Sequence, residues 1–197
     1  LGYWWFEYTV IKEATNKQGF DLYLVDIGGL LDREKIYGYD DDTERFMAFQ
    51  IAFVDWLSHW KHMPDIVHVH DHHTAMIPFM MQHCLNYKVL SGIPTVLTIH
   101  NAQYQGAMGW DKSTHIPAWD SWKRGLLEWN NMINPLACGI KCANKVTTVS
   151  SSYLAELKYM SNGLEPLFEY EKGKCSGILN GIDTDVWDPA KDTYLEN

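Results

Sequence analysis

Apolar residues in the second quarter of the chain recur at the spacing of a helix face. From Thr43 to Trp60 they fall three and four residues apart, with polar side chains between them. This spacing matches the period of a helical turn, so we predict a helix over this range. Asp42 or Thr43 stands where a side-chain oxygen can cap its first turn.

Short runs rich in β-branched residues predict buried strands further along the chain. These runs are Ile66–Val69, Thr95–Ile99 and Lys145–Val149. A periodic apolar stretch from Ala75 to about Tyr87 predicts a helix after the first, and Ser150 or Ser151 can cap a helix reaching Met160 after the third. Alternation of buried strands with helices indicates βαβ units. The predicted fold class is therefore α/β, with a Rossmann-like, doubly wound and mostly parallel sheet.

The amino-terminal segment has the composition of a β-hairpin. Tyr3–Val10 and Phe20–Asp26 are rich in aromatic and β-branched residues, and the turn-like segment 16–19 separates them. The later stretch from Gln105 to about Trp119 has no period and predicts a long connection. Loops of that length often cover or line a functional site.

Composition and charge narrow the class of protein. The chain has 197 residues, of which 46% are hydrophobic, and this length suits one sizeable domain. Its net charge of -9, without a Lys/Arg cluster, argues against nucleic acid or an anionic membrane surface as a partner. Its most apolar stretch, 46–57, is well short of the roughly 20 residues of a membrane span.

The cysteines indicate the cellular compartment of the protein, and the first residues bear on whether the sequence is part of a longer one. The four cysteines form no Cys-x-x-Cys motif, and Cys138 and Cys142 fall one helical turn apart in an apolar run, which predicts packed thiols. We therefore expect a reducing, cytoplasmic setting. The chain begins at Leu1 without an initiator Met or the features of a signal peptide, so we expect it to be part of a longer protein.

Polar clusters follow three of the predicted strands. Ligands of open α/β sheets bind beyond the carboxyl ends of the strands, so these positions are the first candidates for a site. The clusters are His68–His73, His100–Gly106 and Asn180–Asp183, the last after the strand-like Gly177–Leu179. In the first, the strand period places His68 and His70 on one face and leaves 71–73 in a loop.

These side chains suit sugar hydroxyls, but other interpretations are open. Amides and imidazoles match the donor and acceptor pattern of a sugar. Asn180–Gly181 could instead form a type I′ turn between strands. His68 and His70 have the spacing of metal ligands, with His100 as a third, which would suit a metal-dependent hydrolase. Aromatic residues that could stack on a sugar or simply pack in the core are Trp110, Trp119, Trp122 and Trp129.

The order and spacing of these segments resemble one enzyme family. From about Phe20 to Pro189 the chain is similar to bacterial glycogen synthases and plant starch synthases, which are retaining glycosyltransferases of the GT-B fold. The motifs that carry the resemblance are Asp65–His73, Thr98–Gly106, Val149–Ser150 and Gly177–Asp183.

The resemblance implies transfer of glucose from ADP-glucose to the non-reducing end of an α-1,4-glucan. It implies that His100 and Asp71 are the catalytic residues, with His100 and Asn180 at the transferred glucosyl unit. Asp71 and His73 would lie on the acceptor side. Further substrate-binding positions are Asn101, Tyr104 and Gln105. It implies no cofactor and no metal.

The resemblance also divides the chain into parts. Residues 1–189 would be the acceptor-side, Rossmann-like domain, incomplete at its start, and 190–197 would begin the linker to a donor-binding domain. A Lys-Thr-Gly-Gly-Leu loop would precede Leu1 and the groups that bind the diphosphate would follow Asn197, so the chain alone is expected to be inactive. A non-catalytic glucan-binding module is the remaining alternative.

Two positions depart from the family pattern. His72 stands where the family usually has Trp, and Gly29–Leu31 stands where an aromatic pair usually precedes Asp32. Stacking of a sugar ring is not expected at these positions.

Overall fold

The structure is a computed structural model that describes residues 4–14 and 19–193. Its strands are β1 (Thr9–Lys12), β2 (Tyr23–Asp26), β3 (Val67–His70), β4 (Thr95–Ile99), β5 (Glu128–Trp129), β6 (Met132–Ile133), β7 (Lys145–Thr148) and β8 (Cys175–Gly177). Its α-helices are α1 (Asp42–Ser58), α2 (Asp71–Thr74), α3 (Ile77–His83), α4 (Arg124–Leu127), α5 (Pro135–Cys142), α6 (Ser151–Leu157) and α7 (Glu165–Tyr170). Segments of 3₁₀ helix lie at Leu85–Leu90, Trp110–His115, Ser121–Lys123 and Lys172–Lys174.

A parallel sheet in the order β3-β4-β7-β8 forms the centre of the fold. His70 pairs with Thr98, and Thr98 pairs with Thr147, which fixes the register across three strands. The helices between these strands make each connection a βαβ crossover, as the predicted α/β class requires. The carboxyl ends of all four strands therefore lie at one edge of the sheet.

Helix α5 packs unusually close to the sheet. A side-chain carbon at Gly139 would lie 2.7 Å from the backbone oxygen of Ala75 and 3.0 Å from Leu97 of β4, so only glycine fits there. Cys138 and Cys142, on the same helix, are buried free thiols. This confirms the expectation of packed cysteines, and Cys84 is buried in the same core.

The amino-terminal strands form the expected antiparallel hairpin, β1 with β2. The predicted first strand was too early, because pairing covers Thr9–Lys12 and the preceding described residues are not in a strand. Tyr3 and residues 16–18 of the predicted turn lie outside the described residues.

Several predicted helix limits were wrong. Helix α1 begins at Asp42 without a side-chain cap, because the Asp42 carboxylate accepts the N–H of Gly38 at 2.6 Å and pairs with Arg45. The single helix predicted over 75–87 ends at His83, where Cys84 takes an extended conformation. Ser150 does cap α6, accepting the N–H of Tyr153 at 2.9 Å, but that helix ends at Leu157.

Several elements were not predicted, among them α2, α4, α5 and α7. Another is the short hairpin of β5 and β6, whose turn residues Asn130 and Asn131 both have positive φ. That is the backbone of a type I′ turn, which asparagine tolerates. No helix among residues 4–14 and 19–193 combines the length and the apolar character needed to cross a membrane.

Candidate active site at the carboxyl edge of the sheet

The three polar clusters lie at the carboxyl edge of the parallel sheet. His70 ends β3, His100 follows β4, and Asn180 lies three residues after β8. The sequence prediction that these clusters share one edge is therefore confirmed at the level of the sheet.

Asp71 joins the ends of β3 and β4. Its Oδ1 accepts the backbone N–H of His100 at 2.8 Å and that of Asn101 at 3.4 Å. Its φ of 53° lies in the left-handed region, where a non-glycine residue carries strain that is often found at functional sites. Asp71 was predicted to lie in a loop with His72 and His73, but these residues form the first turn of α2. The carboxylate of Asp71 therefore holds the backbone at His100 in place.

The histidines of β3 share one face, as the strand period predicts. Nδ1 of His70 lies 3.0 Å from Nε2 of His100, while Nε2 of His68 lies 2.6 Å from the hydroxyl of Thr98. That hydroxyl lies 2.6 Å from the hydroxyl of Thr147. Burial and the neighbouring His68 and His100 lower the pKa of His70.

This arrangement gives no support to the metal-dependent hydrolase. The ring planes of His68 and His70 are inclined at 30°, and those of His70 and His100 at 28°. Across the described part of the chain, no three His, Cys, Asp or Glu side chains are grouped so that they could hold a metal ion.

The loop after His100 is held by its own polar groups. The Oδ1 of Asn101 accepts the N–H of Gln103 at 2.9 Å, and the N–H of Ala102 donates to the hydroxyl of Tyr153 at 3.0 Å. The Gln105 side chain is committed to protein partners: its Nε2 donates to the carbonyl of Asn162 at 3.1 Å, and its Oε1 accepts from Asn134 at 2.7 Å. Gln105 thus ties the loop to the start of α5 and to the segment after α6.

A cavity of about 320 Å³ opens beside the first two clusters. His73 and Tyr104 line it together with His72. Lining residues that were not predicted to belong to a site include Tyr37, Asp42, Phe46, Gln50, Met108 and Pro135. The ring of Phe46 meets that of His73 edge-on at 4.4 Å, a contact hidden in the sequence because Phe46 also fits the apolar face of α1.

Burial favours the neutral form of the two cavity histidines. Burial, assisted by the neighbouring His73, lowers the pKa of His72 to about 4. Burial also lowers the pKa of His73, although Asp71 and Asp42 oppose it. Neutral imidazoles can both donate to and accept from hydroxyl groups, which suits a sugar. The Nδ1 atom of His72 is buried and has no hydrogen-bond partner among the described residues.

Asn180 lies on the segment that leaves β8. The N–H of Ile178 donates to the carbonyl of Thr148 at 2.8 Å, which guides this segment along the end of β7. A side-chain carbon at Gly177 would lie 2.4 Å from the backbone nitrogen of Ser151, so the close approach to α6 requires glycine. Neither Asn180 nor Gly181 has a positive φ, so the alternative of a type I′ turn was wrong.

The tryptophans divide between packing and exposure. Three of them, Trp110, Trp119 and Trp129, pack against the core, and Arg124 lies over the ring of Trp110. Trp122 is 90% exposed. For the packed three, the ordinary role of a large aromatic accounts for the side chain.

Comparisons with known proteins identify the family. Residues 1–170 match the family model of the starch synthase catalytic domain. The chain is 52% identical over 195 residues to a glycogen synthase of Flavobacterium johnsoniae, a match that covers 99% of this chain and 41% of that protein. It is 39% identical over 199 residues to a glycogen synthase of Streptococcus mutans, covering 98% of this chain and 41% of that protein.

A solved structure has the same fold. The catalytic domain of starch synthase IV from Arabidopsis thaliana, bound to ADP and acarbose, matches with a TM-score of 0.76 and 29% identity. The match covers 91% of this chain and 38% of that one. The chain belongs to the starch synthase catalytic domain family. It spans about 41% of the length of the glycogen synthases it matches.

Proposed function

We propose that the protein carrying this chain is a glycogen or starch synthase. It transfers glucose from ADP-glucose to the non-reducing end of an α-1,4-glucan with retention of configuration, and this chain forms the acceptor side of its cleft. Support comes from the family match and from the related glycogen synthases. The plant relative bound to ADP and acarbose supports a nucleotide and a glucan as ligands.

The observation that carries the proposal is the polar edge of the sheet. Parallel strands bring Asp71, His100 and Asn180 to the same edge, and a cavity lined by neutral imidazoles and aromatic rings opens beside Asp71. Crevices at that edge are where α/β sheets bind ligands, and the mixture of aromatic faces with hydrogen-bonding groups suits a sugar.

Each site residue has a proposed role. His100 and Asn180 hold the transferred glucosyl unit. Asn101, which follows His100 in the same loop, is a further substrate-binding residue. Asp71 and His73 line the acceptor side, with Tyr104 at the rim, where it is 60% exposed. Gln105 shapes the loop, because its amide is already bonded within the protein. Catalysis by these groups consists of orienting the sugar and stabilising charge as its anomeric carbon becomes positive.

The proposed reaction also requires a second, donor-binding domain. Residues 1–189 form the acceptor-side domain, and 190–197 begin the linker to a donor-binding domain. Stabilisation of the leaving diphosphate falls to that second domain. No cofactor or metal is proposed, and the setting is the cytoplasm.

Transfer of radiolabelled glucose to glycogen by the whole protein tests the proposal. We expect activity with ADP-glucose. If the folded protein transferred glucose from no nucleotide sugar yet bound glycogen, the second candidate, a glucan-binding module, would replace it.

A further inference from the structure

His70 makes a direct hydrogen bond to the residue proposed to hold the transferred sugar. Its Nδ1 lies 3.0 Å from Nε2 of His100, and the two ring planes are inclined at 28° with centroids 5.3 Å apart. The bond links the last residue of β3 to the first residue after β4. From the sequence, His70 had no assigned role except as a metal ligand in the alternative of a metal-dependent hydrolase.

This bond selects which atom of His100 faces a ligand. A hydrogen bond between two imidazole nitrogens needs one N–H and one lone pair, so it uses one of the two nitrogens on each ring. Nε2 of His100 is used by His70. Only Nδ1 of His100 then remains for a sugar hydroxyl, with its protonation state set by the bond on the other side of the ring.

His70 is itself held in place on several sides. Its backbone N–H donates to the hydroxyl of Thr74 at 2.6 Å, which fixes the turn into α2. The ring of His68 lies beside it, with centroids 4.4 Å apart, and makes its own hydrogen bond to Thr98. The charged or titratable groups around it are His68, His100 and Asp71, and the lowered pKa of His70 favours the neutral ring. If both rings were protonated, repulsion between two cations would replace the hydrogen bond.

We propose that His70 is a positioning residue of the transfer reaction, holding the His100 ring by its Nε2 so that Nδ1 of His100 meets the transferred glucosyl unit. The proposal rests on the proposed function. It predicts that activity depends on where the side chain of residue 70 places its hydrogen-bonding atom. A polar side chain of similar size that places this atom elsewhere should not replace histidine.

Two amide variants separate position from polarity. In His70→Asn the amide nitrogen takes roughly the place of Nδ1, so the bond to His100 can form. In His70→Gln the amide lies further out, near the place of Nε2, and the bond is lost. His68→Gln is the matched control, because His68 lies on the same strand and face but bonds to Thr98 and not to His100.

Kinetics of the whole protein give the first readout. We expect His70→Gln to lower kcat about 100-fold with KM nearly unchanged, since misplacement of a positioning group acts on the transition state. His70→Asn should keep kcat within about tenfold of wild type, and His68→Gln within about threefold. Equal kcat in folded His70→Asn and His70→Gln would overturn the proposal.

Nitrogen NMR of the whole protein, labelled with ¹⁵N only at histidine, gives a readout independent of activity. The signals of His100 are assigned by their loss in His100→Gln. We expect one tautomer of His100 in wild type and His70→Asn, and a mixture in His70→Gln. An unchanged tautomer in His70→Gln would contradict the proposal. If His70→Gln changed the tautomer of His100 but the wild-type protein had no transferase activity, the positioning of His100 would be upheld and the proposed function refuted.

Discussion

At the scale of single residues, the strand-end groups are held before a ligand binds. The Asp71 carboxylate accepts two backbone N–H groups, and Nε2 of His100 is bonded to His70. Groups fixed in this way need little rearrangement during a reaction, which is how a preorganised site lowers a barrier. The positive φ of Asp71 is part of this arrangement, and no sequence pattern indicates it.

The half-buried His72 makes stability depend on pH. Its pKa is about 4 in the folded protein against an ordinary value of 6.5, so the unfolded chain binds more protons between these values. The free energy of unfolding is therefore expected to be highest above pH 6.5 and to fall as the pH drops towards 4. Urea denaturation at about pH 7.5 and about pH 4.5 measures the loss.

His72→Gln provides the comparison for this effect. The pKa values of His70 and His73 are also lowered, so the wild type and the variant should both lose stability in acid. The variant should lose less, because glutamine does not titrate. An equal loss in the two proteins would show that His72 is not buried as a neutral ring.

At the scale of elements, close packing of α5 on the sheet gives a second prediction. Gly139→Ala should lower the free energy of unfolding by about 1–3 kcal/mol, because the added carbon meets the Ala75 backbone and Leu97. Gly125→Ala is the matched control: it is helical, has no atom within 4 Å of the added carbon, and should be neutral or stabilising by up to about 1 kcal/mol. Urea denaturation of both variants measures the difference, and equal stability would contradict the close approach.

The elements that could be predicted are those with a long or repeated pattern. Helix α1 follows from periodicity, the central strands follow from short runs rich in β-branched residues, and the cap of α6 follows from the chemistry of Ser150. Helix α2 could not be predicted, because a four-residue helix that starts at a strained Asp71 has no period. The turn of β5 and β6 had a usable signal in Asn130–Asn131, but the expectation of a type I′ turn was placed at Asn180 instead.

At the scale of the whole molecule, the candidate site was only partly predictable. Its location followed from the rule that ligands bind beyond the carboxyl ends of parallel strands, together with the family resemblance. The cavity could not be predicted, because it is formed by α1, α2 and the 104–108 loop, which are distant in sequence. The bond between His70 and His100 is equally a property of the register between β3 and β4.

The proposed division into an acceptor-side and a donor-binding domain leads to a further prediction. The chain alone should bind glucan and transfer no glucose, because stabilisation of the leaving diphosphate is assigned to the rest of the protein. Affinity electrophoresis in gels containing glycogen, alongside the radiolabel assay, measures both properties. Transfer by the isolated chain would place the donor site within residues 1–197.

The central claim is that the carboxyl edge of this sheet holds the sugar during transfer, and the most direct test is kcat of the whole protein with His100→Ala. We expect kcat to fall at least about 100-fold, with Asn180→Ala lowering it in the same direction, because both side chains orient the reacting unit. The thermal midpoint of both variants should stay close to that of wild type, since both are strand-end residues outside the apolar core. Normal kcat in folded His100→Ala would contradict the site described for this protein.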